Sequence, residues 1–68
     1  RIMVSRDGGT VTVSGAMPFD NVRVTGVSGM TYYDGGRGRT EISVAVPAGD
    51  IAVVTVLQGG VLKIVRQR

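Results

Sequence analysis

Apolar and polar residues alternate over short stretches along the whole chain, and glycine or proline breaks the alternation at regular intervals. A period of two is the mark of half-buried β-strands, because successive side chains of an extended backbone point to opposite faces. Seven candidate strands follow from it. "RIMVS" puts Ile2 and Val4 on one face, and "RDGG" turns the chain back. "TVTVS" sets Val11 and Val13 inward and Thr10, Thr12 and Ser14 outward. "GAMPFD" reads as a loop, since Pro18 has no N–H to give a ladder. "NVRVTGV" alternates Val22 and Val24 with Arg23 and Thr25, a tight turn at Ser28 and Gly29 follows, and "MTYYD" is the fourth strand. "GGRGR" reads as a flexible hairpin loop. In "TEISVAV", Ile42, Val44 and Val46 face one way and Glu41, Ser43 and Ala45 the other, before "PAGD" closes the strand, and Gly49 there, like Gly29, is expected to take a positive φ. The last two runs, 51 to 57 and 61 to 66, flank Gly59 and Gly60, a pair suited to a hairpin turn of positive φ.

With that turn fixed, Leu57 lies opposite Leu62, Val56 opposite Lys63 and Val54 opposite Val65. One face of this hairpin then carries Ile51, Val53, Leu57, Leu62 and Ile64, the expected core. The other carries Ala52, Val54, Val56, Val61 and Val65, which is apolar for a solvent face. It is either a surface tolerant of β-branched residues or a contact face, with Val54, Val56 and Val65 at its centre and Lys63 and Arg66 at its rim.

Composition strengthens the β reading. Val occurs 13 times, Thr six times and Gly 11 times in 68 residues, enough for one domain with one core. The expected architecture is all-β, a small antiparallel sandwich of about seven short strands, with a small barrel as the alternative. No apolar run approaches the about 20 residues that cross a bilayer, and no segment has the layout of a signal peptide. Because the first residue is Arg1 and not Met, the chain is expected to be a fragment cut from a longer protein, with any export signal in the missing part.

Chemistry is sparse. Without Cys or His, neither the usual nucleophilic triads nor thiolate metal sites can be built. Asp7, Asp20, Asp34 and Asp50 sit among turn signals without the ligand spacing of a calcium loop, so no metal, cofactor or enzymatic activity is expected. "DGGRGRT" lacks the Lys and Ser/Thr of a phosphate loop. Tyr32 and Tyr33, adjacent on one strand, are expected on opposite faces, one in the core and one at the surface. Residues 1 to 50 are electrically neutral, and the whole net charge of +3 comes from Lys63, Arg66 and Arg68. No aromatic is interleaved with these cations, which argues against nucleic acid as a partner.

The order of features resembles the C-terminal sorting domain of the type IX secretion system of Bacteroidetes. Its members read as "v-v-s-G", a tyrosine-bearing strand, "l-P-x-G-x-Y-x-v-x-v" and a closing Gly- and Lys-bearing hairpin with a basic end. Here Gly15, Val22, Val24 and Gly29 fit the middle motif, and Pro47, Gly49, Val53, Gly60, Lys63 and Arg68 fit the closing one. Ile51, Met30 and Thr25-Gly26 depart from it. The resemblance implies an immunoglobulin-like β-sandwich, the C-terminal fragment of a longer secreted protein, that serves as a non-catalytic secretion signal taking an attached cargo domain through the periplasm and across the outer membrane to the cell surface. Translocon components and a sortase-like cysteine peptidase would be its partners, the peptidase removing the domain and fixing the cargo to the surface. Gly29, Pro47, Gly49, Gly60, Lys63, Arg66 and Arg68 are the candidate recognition residues, and an exposed edge strand would permit a homodimer. The alternative is a structural or adhesive immunoglobulin-like module of a surface protein.

Overall fold

Period-two alternation becomes seven strands in the computed structural model, which describes residues 1–68. They are β1 (Ile2–Asp7), β2 (Thr10–Gly15), β3 (Asn21–Gly26), β4 (Thr31–Gly35), β5 (Glu41–Ala45), β6 (Ala52–Gln58) and β7 (Val61–Gln67). Strands β1-β2-β5 form one sheet and β4-β3-β6-β7 the other, every neighbouring pair antiparallel. The chain changes sheet after β2, after β4 and after β5, which is the connectivity of an immunoglobulin-like sandwich.

The inward residues of the two sheets meet in a core of eleven side chains. Val11 and Val13 of β2 with Ile42 and Val44 of β5 face Val22 and Val24 of β3 with Ala52, Val54 and Val56 of β6. Val46 and Phe19 close it from the connections. Valine dominates because its χ1 is already restricted, so it loses little freedom on a pleated surface.

The register of the last hairpin is the expected one: Leu57 pairs with Leu62, Val56 with Lys63 and Val54 with Val65. Gly59 and Gly60 both take positive φ, at 55° and 78°, as the two-residue turn requires. Its faces are the reverse of the expectation. Val54 and Val56 are fully buried, so they are core residues and not a contact face, whereas Leu57, Leu62 and Ile64 are exposed. The register with β3 decides this: Val54 lies beside Val24 and Val56 beside Val22, while Thr55 shares the outer face with Arg23. Val65 is half-buried on the inner side of β7.

Three further expectations are corrected. Tyr32 and Tyr33 do not divide between faces. The register jumps from Val24↔Tyr33 to Thr25↔Thr31, leaving Tyr32 as the extra residue of a bulge, and both rings pack against the core. "DGGRGRT" is not a hairpin loop but a crossover between sheets, tied to the β2–β3 connection by Phe19 N–H to Arg39 O and Gly38 N–H to Phe19 O. Gly49 does not take positive φ, and a Cβ there would meet nothing within 4 Å, whereas Gly29 sits at φ 98°. Gly29→Val is therefore expected to cost about 1–3 kcal/mol, and Gly49→Val to stay within about 0.5 kcal/mol of the parent. Urea midpoints of the two variants check the contrast, and equal losses would contradict it.

Candidate functional site

β7 is the last strand of the larger sheet, and its far edge has no neighbour. The first half of β7 is exposed on both sides, with Val61 and Lys63 on its inner face and Leu62 and Ile64 on its outer one. Val61 is 67% exposed, Ile64 63% and Leu62 59%, high values for aliphatic side chains in a regular strand. On the outer face the cross-strand pairs Leu57–Leu62, Thr55–Ile64 and Val53–Arg66 make an apolar stripe that ends in a cation. On the inner side a cleft of about 290 Å³ opens between the start of β1 and this hairpin, lined by Arg1, Ile2, Met17, Val56, Val61 and Lys63 among others.

None of Lys63, Arg66 and Arg68 has a carboxylate partner; the ion pair of the molecule is Arg23–Asp34, at 3.9 Å and exposed. The cations do not share one face. Lys63 stands on the inner side at the cleft, Arg66 on the outer side, and Arg68 beyond the strand end. The other candidate residues divide between the poles of the sandwich. Gly29 lies in the β3–β4 turn, and Pro47 and Gly49 in the β5–β6 connection, near the end of β7. Gly60 is at the opposite pole, where its N–H donates to Asp20 Oδ2 at 3.4 Å.

What holds the pole beside the end of β7 together was missed in the sequence. Arg6 donates from Nη1 to Asp50 O at 2.5 Å, from Nη2 to Pro47 O at 2.6 Å and Val46 O at 3.2 Å, and from Nε to Gly8 O at 2.9 Å. Its Nη1 also lies 3.4 Å from Gln67 O, and Gln67 Nε2 donates back to Val4 O at 2.8 Å. The end of β7 is thus latched to β1 across the gap between the sheets. A signal was available: Arg6 continues the inward parity of Ile2 and Val4, where a cation must find acceptors.

Asp50 forms the second tie. Its carboxylate accepts from Ser28 Oγ and Tyr32 Oη, both at 2.5 Å, and from Ser28 N–H at 3.3 Å. A Cβ on Gly26 would fall 1.9 Å from Asp50 Oδ2, so this carboxylate occupies the space of the missing side chain. The bonds from Ser28, then Tyr32, hold the Asp50 carboxyl below its ordinary 3.8, and the bond to Asp50, then burial, lifts the Tyr32 hydroxyl above 10.0. A carboxyl lowered by folding contributes stability that is complete above pH 3.8 and is lost as pH falls through its folded value. A phenol raised by folding contributes stability that is complete below pH 10.0 and is lost as pH rises through its folded value. The stability difference between the parent and Tyr32→Phe is therefore expected to be widest between those limits and to narrow outside them. Urea titrations across pH check this, and a difference independent of pH would contradict it.

The remaining acidic groups lie apart, and no three of them come close enough to hold a metal ion. Asp34 accepts from Asn21 Nδ2 at 3.0 Å on the outer face of β3 and β4. Comparison with models of known families, with curated proteins and with solved structures finds no match to this chain.

Proposed function

We propose that this domain is a non-catalytic C-terminal sorting signal that directs an attached cargo across the outer membrane through the type IX secretion system. The observation that carries the reading is the terminal hairpin. A strand with Leu62 and Ile64 exposed, an open edge and three cations without carboxylate partners is a surface for recognition by another protein. The residues that carry the family resemblance at the chain's end, Gly60, Lys63 and Arg68, lie on it or at its ends. The immunoglobulin-like order of strands agrees with the same family. In this reading the translocon takes the folded domain from the periplasm, and a sortase-like peptidase then separates it from its cargo at the cell surface. The exposed stripe of Leu57, Leu62 and Ile64 would equally suit an adhesive module that docks on a neighbouring domain, and one experiment separates the two.

A reporter fused ahead of the domain is expected to reach the surface of a type IX-competent bacterium. The same fusion carrying Lys63→Gln, Arg66→Gln and Arg68→Gln is expected to fold and to accumulate in the periplasm. Surface delivery of the triple variant at the parent level would reduce the cations to protection of the edge against aggregation. Retention of the unmutated fusion inside the cell would remove the sorting assignment and leave the adhesive module.

A further inference from the structure

A two-residue turn makes Gln58 and Val61 the hydrogen-bonded pair that closes the hairpin. Alternation along the ladder then leaves the N–H and C=O groups of Leu62, Ile64 and Arg66 pointing away from β6, into solvent. Most sheet edges in this molecule are blunted. β4 and β5 are five residues long, β4 carries a bulge, and β1 has Gln67 bonded to its Val4 carbonyl. β7 is seven residues long, its register against β6 is unbroken, and apolar side chains are exposed on both of its faces.

We propose that β7 is a docking edge for an extended acidic segment of another protein, which adds to the larger sheet as a fifth strand. The backbone groups of Leu62, Ile64 and Arg66 would supply the ladder, and the exposed side chains the pockets between alternate residues of the incoming strand. Charge selects the occupant. The neutral first fifty residues leave the entire excess of +3 on Lys63, Arg66 and Arg68. Two copies paired edge to edge would bring two such sets together, a repulsion that a strand with carboxylates opposite these positions converts into attraction. The matching strand is apolar opposite Val61, Leu62, Ile64 and Val65 and acidic opposite the three cations. This inference rests on the edge itself and holds whatever machinery reads the domain.

The test uses the 68-residue chain and two synthetic peptides of that pattern, one with glutamate opposite each cation and one with lysine instead. Amide hydrogen exchange of β7 is the readout. The glutamate peptide is expected to slow exchange at Leu62, Ile64 and Arg66 on the order of tenfold, and the lysine peptide to leave it unchanged. Lys63→Glu, Arg66→Glu and Arg68→Glu together are expected to reverse that preference. Ile64→Pro removes an outward N–H without breaking a bond to β6 and is expected to abolish protection while β6 amides stay protected. Equal protection by both peptides, or by neither, would overturn the proposal. So would protection of the same amides by self-association of the chain alone, or by anionic phosphatidylglycerol vesicles and not by the glutamate peptide.

Discussion

Phe19→Ala is expected to remove about 3–5 kcal/mol of folding stability, the usual cost of deleting a buried phenyl ring. Phe19 is 1% exposed, and it is the largest side chain in a core otherwise built from valine, isoleucine and alanine. Neighbouring valines with a single rotatable χ cannot swing into a cavity of that size, so little of the lost contact is recovered. Its backbone is also committed: the N–H donates to Arg39 O at 2.7 Å and the C=O accepts from Gly38 N–H at 2.9 Å, which fixes the β2–β3 loop against the crossover from β4 to β5. A domain of 68 residues has roughly 3–10 kcal/mol in total, so the variant stands at the edge of unfolding. Tyrosine fluorescence and circular dichroism in urea measure the shift. A loss under about 1 kcal/mol would mean that the end of the sandwich is not sealed by this ring.

Phe19 also marks where sequence reasoning stops. The alternation of β2, β3 and β5 was legible because each strand has one apolar and one polar face, and Val11, Val13, Val22, Val24, Ile42 and Val44 are all buried as read. A loop residue has no period, so nothing in "GAMPFD" announced that its phenylalanine closes the core. In β6 the alternation is degenerate, with apolar side chains at both parities, and the larger Leu57 drew the inward assignment to the wrong face. Thr55, flanked by Val54 and Val56, was the local sign of the outer parity, and the clear alternation of β3 alongside enforces it. With Val54 and Val56 buried, the exposed apolar residues of the hairpin are Leu57, Val61, Leu62 and Ile64. Lys63 and Arg66 were correctly placed on the last strand, but their division between two faces follows from that same parity.

Arg6→Ala is expected to destabilise the domain by at least the roughly 1.5–3 kcal/mol of one charge-assisted hydrogen bond, and to do so mainly at one pole. The guanidinium spans four carbonyls from two connections, Gly8 between β1 and β2 and Val46, Pro47 and Asp50 between β5 and β6, with Gln67 O at the limit of bonding distance. Those carbonyls belong to connections, where Pro47 O keeps a second donor, the Asp50 N–H at 2.9 Å, and removing the fork takes a charged donor from each of them. Arg6→Lys keeps the charge but offers one ammonium in place of a planar fork, so it is expected to recover less than half of the loss. The consequence reaches the terminal strand, because the end of β7 is held to β1 through this arginine and Gln67, while the rest of β7 has β6 as its ladder partner. Amide exchange in Arg6→Ala should therefore rise first at Arg66 and Gln67 and around Pro47–Asp50, with the core amides of β2 and β3 following only the global loss. Uniform acceleration across all strands would mean that Arg6 supports the fold as a whole and is not a local latch on the terminal strand.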